Sequence, residues 1–357
     1  MGKEKVICGI QQVGIGVASV EESWPWYIEH FGTDVKILGD EGVAERMLPY
    51  TGGKPQPRYA VLAVNLRGGS GFEIWEPRGR ELNYLKDEAQ LGDYGILVCK
   101  VKCPDVQQAY DAFRKKNVCL LTEPAKSPVG KWHFFLKDPW NNIFEVVEDD
   151  YVFVPEKKLT GGGNGAILGV SDMDRSIRFY GKLMDFDTVL SDETGVFDDL
   201  KGVPGGDRRF RRVLLGRSKP MQGPLCEVMG TGYIELLQCL DAQPKKLYAN
   251  RLWGDPGYIH LCFDVRNMAA VKADCEALGH PFVCDSGADF GMGDAGGHFT
   301  YIEDPDGTLI EFVETFKIPI LKKFGIFLNL KGRDDKKPLS RLITKSLRFL
   351  KVKNTKQ

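Results

Sequence analysis

The feature that most constrains the fold of this chain is an internal repeat. An apolar strand ending in valine, a short turn and an amphipathic helix recur four times. The clearest copies start at Ile15 (IGVASVEESWPWYIEHFG) and Leu168 (LGVSDMDRSIRFYGKLMDF), and two more start at Leu97 and Leu261. Apolar residues at every third or fourth position predict one helix with a buried face in each copy. A repeat of this kind predicts four similar structural modules.

Each copy closes on a strand with a glutamate at its centre, 48 to 67 residues after its opening. These glutamates are Glu73, Glu145, Glu235 and Glu311. In the second and fourth copies an Asp-Pro turn precedes the strand (DPWNN and DPDG), which is typical of a tight hairpin. One strand, one helix and three further strands make a βαβββ module. The sequence therefore predicts an α+β fold in which four βαβββ modules form two curved mixed β-sheets.

The boundaries of the modules follow from these signals. We place module 1 at 8–77, module 2 at 92–150, a linker at 151–163, module 3 at 164–240, module 4 at 256–316 and a basic tail at 317–357. The GGGNG run at 161–165 lacks the Lys-Ser/Thr pair of a phosphate-binding loop and does not lie between a strand and a helix. We interpret it as a hinge between the two halves.

Charge and cysteine content indicate the cellular compartment of the protein. The formal net charge is −1, but residues 317–357 carry thirteen Lys or Arg against two Asp, so the body is acidic by about twelve charges. The nine cysteines include no C-x-x-C pair, which predicts small, reduced, mostly buried side chains. The charged N-terminus is followed by too short an apolar run for a signal peptide. These features predict a cytoplasmic protein.

The IGV opening, the DPDG-x-x-IE closing and the fourfold repeat resemble the vicinal-oxygen-chelate superfamily, which includes glyoxalase I, methylmalonyl-CoA epimerase, extradiol dioxygenases and bleomycin-resistance proteins. The resemblance covers roughly residues 8–316. It implies that two modules face each other as a cup. It also implies that metal ligands come from the start of each first strand and the middle of each last strand.

Counting back five residues from the valine of each opening strand identifies the first-strand positions in this chain. They are Gln12, Ile96, Gly165 and His260. If module 1 faces module 4, an outer cup holds Gln12, Glu73, His260 and Glu311, while an inner cup holds Ile96, Glu145, Gly165 and Glu235. Pairing neighbouring modules instead leaves both cups short of a ligand. The outer set resembles the metal-ligand set of glyoxalase I. In single-chain glyoxalases with four modules, the first module likewise faces the fourth.

An amide oxygen, an imidazole and two carboxylates suit one divalent ion, and they do not distinguish Zn, Ni, Fe, Mn and Co. The inner cup has two carboxylates and no third donor, which predicts that it is metal-free.

The resemblance implies a metal-dependent lyase or isomerase of the glyoxalase I or epimerase type. Such an enzyme would act on a small molecule with vicinal oxygens through a metal-stabilised enediolate. Glu311 would be the proton-transferring base, with Glu73 on the opposite face. One alternative is an extradiol-type dioxygenase, which needs two histidines and a carboxylate, whereas only His260 stands at a ligand position. The other is a metal-free binding protein for a small molecule.

The remaining polar motifs have structural interpretations. We expect His133 and His298 at strand edges or the cup rim, with substrate contact by His298 as an alternative. His30 and His280 lie at predicted helix ends and are expected to face solvent. The arginine cluster is expected on a solvated face, with an anion clamp as the alternative; it comprises Arg208, Arg209, Arg211 and Arg212.

The tail predicts a basic amphipathic helix. Its apolar face is formed by Leu339, Leu342, Ile343, Leu347 and Leu350. This face either packs on the acidic body or holds the protein peripherally at an anionic membrane or a partner. Nucleic-acid binding is not expected, because the body is acidic and the tail has few aromatic residues.

Overall fold

The architecture was obtained from a computed structural model. It describes residues 4–288, 290–292, 295–321 and 325–353. Of the predicted basic tail, positions 322–324 and 354–357 lie outside the described residues.

Modules 1 and 2 each begin with a long strand and a helix. Module 1 comprises β1 (Val6–Gly16), α1 (Val20–Phe31), β2 (Val35–Ala44), β3 (Gln56–Val64) and β4 (Gly71–Pro77). Module 2 comprises β5 (Gly95–Cys103), α2 (Val106–Lys115), β6 (Cys119–Leu120), β7 (Ala125–Lys126), β8 (Trp132–Lys137) and β9 (Ile143–Glu148).

Modules 3 and 4 repeat the pattern, and the chain then continues into the tail. Module 3 comprises β10 (Gly163–Gly169), α3 (Met173–Met184), β11 (Thr188–Gly195), β12 (Phe210–Gly216), α4 (Cys226–Met229) and β13 (Tyr233–Cys239). Module 4 comprises β14 (Gly257–Arg266), α5 (Met268–Ala277), β15 (Cys284–Asp285), β16 (Phe290–Met292), β17 (Ala295–Glu303) and β18 (Leu309–Leu321). The tail adds β19 (Ile326–Asn329) and α6 (Arg341–Lys345).

The strands form two mixed sheets, which confirms the predicted fold class. The first runs β15-β17-β18-β14-β1-β4-β3-β2, with β16 beside β17 and β19 beside β18. The second runs β11-β12-β13-β10-β5-β9-β8-β6, with β7 beside β8. Modules 1 and 4 therefore share one sheet and modules 2 and 3 share the other. This sheet order confirms the predicted pairing of the first module with the fourth.

Local sequence explains where the first three helices begin. Ser19, Asp105 and Asp172 each precede a helix, and the side chain of each accepts a hydrogen bond from the backbone N–H three residues on. This is the usual way of satisfying a free N–H at a helix start. All nine cysteines lie in the described part of the chain without a disulfide, and seven of them are buried.

Hydrogen bonds from two helices join the modules that the sheets keep apart. Tyr27 of α1 donates to Asp138 Oδ2 in the β8–β9 turn at 2.7 Å, and Tyr180 of α3 donates to Asp304 Oδ2 in the β17–β18 turn at 2.8 Å. Module 1 is thus tied to module 2, and module 3 to module 4. Asp138 Oδ2 also accepts from the side chain of Asn142, whereas Tyr180 is the partner of Asp304 Oδ2.

This difference predicts unequal effects of two equivalent substitutions. Tyr180→Phe leaves a buried carboxylate oxygen without its donor and is expected to lower the free energy of unfolding by about 1–3 kcal/mol. Tyr27→Phe is expected to have the smaller effect, because Asn142 still donates to the same oxygen. Urea unfolding of both variants tests this. Equal losses, or a larger loss for Tyr27→Phe, would contradict it.

The tail does not form the single amphipathic helix that the sequence predicts. α6 has five residues and is followed by a 3₁₀ turn over Ser346–Leu350. Leu339 and Leu347 are buried in an apolar cluster on the body, Ile343 and Leu350 pack against it, and Leu342 is 85% exposed. The predicted apolar face therefore packs on the body, with the exception of Leu342. No helix among the described residues is long and apolar enough to span a bilayer.

The 161–165 run makes close backbone contacts rather than forming an open hinge. A Cβ placed on Gly68 would lie 2.1 Å from the carbonyl oxygen of Gly161. The Gly161 N–H donates to the backbone carbonyl of Lys102, and the Lys102 N–H donates to the backbone carbonyl of Gly162. The glycines are needed here because two backbones pack against each other.

Candidate metal centre

The outer cup, formed by modules 1 and 4, brings four polar side chains to the middle of the first sheet. Gln12 lies on β1 and His260 on β14, two strands that pair antiparallel. Glu73 lies on β4, parallel to β1, and Glu311 lies on β18, parallel to β14. The four predicted ligands thus come from four neighbouring strands.

The distances within this group are short. His260 Nε2 lies 3.1 Å from Glu311 Oε2 and 3.3 Å from Glu73 Oε2. The Gln12 side-chain amide donates to Glu311 Oε2 at 3.3 Å. One donor atom from each of Glu73, His260 and Glu311 lies within 4.8 Å of the other two. Two ligands bound to one ion at about 2.0–2.2 Å are separated by at most roughly 4.4 Å, so small side-chain movements would bring these atoms to an ion.

The environment of the group also fits a divalent cation. Gln12 Oε1 and Nδ1 of His260 are buried without a hydrogen-bond partner, and such atoms are costly to leave unsatisfied. Burial by itself would lower the pKa of His260, but Glu311 and Glu73 outweigh it and raise the pKa to about 9. The two carboxylates therefore favour a positive charge at this point. A half-turn of the Gln12 amide would present its oxygen to an ion.

The opening strand is shaped to admit the imidazole. Gly14 stands opposite His260 across the β1–β14 pair. A Cβ at position 14 would lie 2.4 Å from Cε1 of His260. Gly14, two residues before the glycine of the repeated opening motif, therefore makes room for the histidine.

Sequence reasoning missed two residues that face Glu311. Burial and the charge of Glu311 both raise the pKa of Tyr301 on β17 and of Cys262 on β14. The Tyr301 ring also packs edge-on against His260, with 5.4 Å between ring centroids. The position of Cys262 could have been predicted from the sequence, because it lies two residues after His260 and alternate residues of a strand share a face. Tyr301 is the partner of Glu311 across the β17–β18 hairpin, so the turn predicted at Asp304 could have indicated it.

His298 lies at the edge of this cup, among the residues that line its cavity. Its Nε2 is 2.6 Å from Asp285, which is also 4.0 Å from Lys272 of α5. This placement agrees with its interpretation as a rim residue, and substrate contact by His298 stays a prediction.

The inner cup, formed by modules 2 and 3, contains an internal cation. Lys100 of β5 is buried, and its ammonium is ion-paired with both Glu145 and Glu235, at 2.5 Å from the latter. Burial by itself would lower the pKa of Lys100, but the two glutamates outweigh it and raise the pKa. The carboxylates of this cup are therefore neutralised by a side chain of the same chain.

Two further residues of the inner cup differ from expectation. His133 is fully buried rather than at an edge, with Nδ1 2.7 Å from Glu145 and Nε2 3.1 Å from Asp199. Arg212 is also buried and pairs with Glu235 and Asp199, at 2.5 and 2.6 Å. It therefore serves neither as a solvated residue nor as an anion clamp. The buried carboxylates attract the side chains of His133 and Arg212. The periodicity of the sequence does not reveal such an interaction.

The strand pairing corrects one position in the inner cup. Glu311 pairs with Cys262 and Glu145 pairs with Lys100. The inner counterpart of His260, two residues earlier on the strand, is therefore Val98 and not Ile96. The count from the terminal valine fails because the number of residues between the valine and the cup differs between β5 and β14.

The other predicted surface residues are also partnered. His30 is 7% exposed and stacks on Trp26, contrary to the expectation that it faces solvent. His280 contacts the backbone carbonyl of Glu303 at 2.9 Å. Arg211 pairs on the surface with Asp174 and Asp192, and Arg208 contacts Gln90 and Leu91.

These observations define a class of protein: two mixed sheets built from βαβββ modules, with a Glu/His/Glu group in a cup that could hold a metal ion. A sequence model of the Glyoxalase/Bleomycin resistance protein/Dioxygenase superfamily matches residues 9–146 and 164–312. The chain belongs to this superfamily.

Solved structures agree on the fold. Glyoxalase I from Zea mays is 18% identical, with a TM-score of 0.53 and coverage of 87% of this chain and 92% of that chain. A putative dioxygenase from Bacillus subtilis is 13% identical, with a TM-score of 0.53 and coverage of 87% and 86%. No curated protein sequence shows significant similarity. At these identities the structural neighbours define the fold and not the reaction.

Proposed function

We propose that this protein is a metal-dependent lyase or isomerase whose active site is the outer cup. The observation that carries the proposal is the buried group of Glu73, His260 and Glu311, with the amide of Gln12 beside it. These four residues would hold one divalent ion. When bound, the ion would supply Lewis-acid chemistry to two vicinal oxygens of a substrate and make the adjacent C–H bond acidic.

The side chains have distinct roles in this proposal. Glu311 takes the proton from the acidic carbon and returns it to the neighbouring position, so that no electrons leave the substrate. Tyr301 and Cys262 lie against Glu311 and hold its carboxylate in place. Glu73 contacts the same nitrogen of His260 as Glu311, and in this proposal it serves the opposite face of the substrate. His260 stays fixed and orients both carboxylates.

The alternatives have less support. An extradiol-type dioxygenase uses two histidines and one carboxylate, whereas this group has one histidine and two glutamates. A metal-free binding protein would have to keep Gln12 Oε1 buried without a partner.

Metal analysis of the purified protein tests the proposal. We expect about one divalent ion per chain, because the inner-cup carboxylates are already bound to Lys100. His260→Ala is expected to lose the ion, and His298→Ala, whose imidazole is paired with Asp285 outside the group, is expected to retain it. Two ions per chain, none in the wild type, or undiminished metal in His260→Ala would each count against the site. Solvent-deuterium exchange into α-hydroxycarbonyl compounds then tests the reaction.

The cytoplasmic location and a peripheral membrane contact of the tail stay predictions. Leu342 and Phe349 are 85% and 55% exposed beside basic residues, which supports a surface contact. Co-sedimentation with anionic vesicles at low and high salt tests it, because attraction to an anionic surface weakens as salt rises. Protein that stays in the supernatant at low salt would exclude this role.

A further inference from the structure

The cavity above the candidate metal centre has apolar walls. Twelve of the twenty residues that line it are aliphatic, aromatic or methionine. They come from β2, β3, β16, β17, β18, the segment 225–229 that contains α4, and the tail. The carboxylates that line it are Glu73 and Glu311, at the floor. A molecule bound here would place its polar atoms at the floor and the rest against hydrocarbon.

The charge of the lining restricts the occupant further. Among the described residues, neither Lys nor Arg lines this cavity. An anionic group held against these walls, away from the ion proposed at Glu73 and Glu311, would be desolvated without a Lys or Arg partner, which is strongly unfavourable. Glutathione conjugates carry two carboxylates and therefore do not fit these walls.

One wall is supplied by the tail. Leu347 lines the cavity and is 1% exposed, packed in an apolar cluster with Leu225, Val228 and Met229 of the α4 segment. The tail begins beyond residue 312, where the superfamily match ends. It is a part of the cup that the family pattern does not describe.

Contacts on both sides of Leu347 hold the tail in place. Leu339 N–H donates to the carbonyl of Pro224 at 3.0 Å, and Val352 N–H donates to the carbonyl of Asp34 at 2.8 Å. Lys351 is ion-paired with Glu156 at 2.6 Å. Leu347 is thus a fixed part of the wall.

We propose that the outer cup accepts a neutral, largely apolar molecule with two vicinal oxygens, and that Leu347 of the tail helps set the length of the apolar part it accepts. This inference rests on the proposed function, since the vicinal oxygens are assigned to the candidate metal centre. It assigns a specificity role to the tail and excludes a glutathione conjugate as substrate.

Calorimetric titration of the full-length, metal-loaded protein with 1,2-butanediol, 1,2-hexanediol and 1,2-octanediol tests the substrate class. Each diol is neutral and has vicinal oxygens, and the three differ in alkyl length. Affinity is expected to rise about fourfold for each added methylene, because burial of one methylene is worth about 0.8 kcal/mol. S-hexylglutathione, with the same apolar chain on a charged peptide, is expected not to bind.

Tail variants test the role of Leu347. Leu347→Ala is expected to weaken binding of 1,2-octanediol about tenfold, from lost apolar contact, and to leave 1,2-butanediol within about twofold. Leu339→Ala is the matched control, because Leu339 is a buried tail leucine that does not line the cavity. If Leu347→Ala does not fold, Leu347→Phe gives the complementary readout. It narrows the cavity and is expected to exclude octanediol while still binding butanediol.

The outcomes separate this inference from the proposed function. Metal-loaded protein whose diol affinity does not depend on chain length, or which binds S-hexylglutathione more tightly than 1,2-octanediol, overturns the substrate class alone. Equal effects of Leu347→Ala and Leu339→Ala overturn the role of Leu347. Purified protein that cannot be loaded with a divalent ion overturns the proposed function, whatever the diols do.

Discussion

Glu311→Gln is expected to lower turnover by about 10²–10⁴-fold, the usual contribution of a positioned general base, while the protein remains folded. The substitution keeps the size of the side chain but removes the group that accepts a proton. Because Glu311 is also a candidate metal ligand, the assay must be made with divalent ion in excess. Circular dichroism and urea unfolding establish that the fold is retained.

Glu145→Gln is the matched control for this prediction. Glu145 occupies the position on β9 that Glu311 occupies on β18, but it binds Lys100 and His133 in the inner cup. We expect it to lower stability and to leave turnover per folded molecule unchanged. If Glu145→Gln reduced turnover as much as Glu311→Gln, the assignment of the active site to the outer cup would fail. Full activity of Glu311→Gln would remove Glu311 from the mechanism.

Lys100→Met is expected to lower the free energy of unfolding by about 3–5 kcal/mol, the usual effect of removing one partner from a buried ion pair. Methionine fills most of the space of the lysine stem, so the loss reflects charge rather than volume. Glu145 and Glu235 would then share a buried site without the cation that bridges them. Urea unfolding at neutral pH measures the effect.

Lys102→Met provides a control on the same strand. Lys102 is fully buried, but its ammonium contacts the backbone carbonyls of Gly163 and Met229. Burial, only partly offset by Asp149, lowers the pKa of Lys102 to about 8. Removing this cation also removes its desolvation penalty, so we expect a clearly smaller loss of stability. A loss as large as that of Lys100→Met would show that any buried lysine here is equally important.

The pH dependence of the free energy of unfolding on the acid side tests the same group of Lys100, Glu145 and Glu235. Burial by itself would raise the pKa of Glu235, but Arg212 and Lys100 outweigh it and lower the pKa to about 2. A carboxyl whose pKa is lower in the folded state stabilises the fold above its unfolded pKa, and this stabilisation is lost as pH falls through its folded pKa. We therefore expect stability from this cluster to decline between about pH 4.5 and 2. The decline should be shallower in Lys100→Met.

The sequence predicted the modules well because their signals are local. Helix starts at Ser19 and Asp172 and the hairpin turns after Asp138 and Asp304 follow from the chemistry of adjacent residues. The α+β class and the two mixed sheets followed from these elements. The prediction that the tail forms one helix was wrong, because Leu342 and Leu347 are assigned to opposite environments by packing on the body and not by helical period.

The candidate site was predictable in part, because equivalent positions of the repeat could be compared. The spacing of Gln12, Glu73, His260 and Glu311 within their modules indicated which side chains point into a cup. The approach of Tyr301 to Glu311 was not visible in this way, nor was the burial of His133. Tyr301 pairs with Glu311 across the β17–β18 hairpin, whose register the sequence does not specify. The burial of His133 depends on Asp199 of module 3, which is distant in sequence and adjacent in space.

The sequence by itself determined the repeat, the fold class and the glutamate in the closing strand of each module, because periodicity and turn chemistry act over a few residues. Only the tertiary structure decided how each cup is neutralised. In the inner cup Lys100 reaches two glutamates from different modules, whereas in the outer cup the equivalent strand position is Cys262 and two carboxylates face a histidine. This difference arises from electrostatic contacts across the sheet, which no local pattern records. It leaves the outer cup able to accept a cation, while the inner cup already holds one.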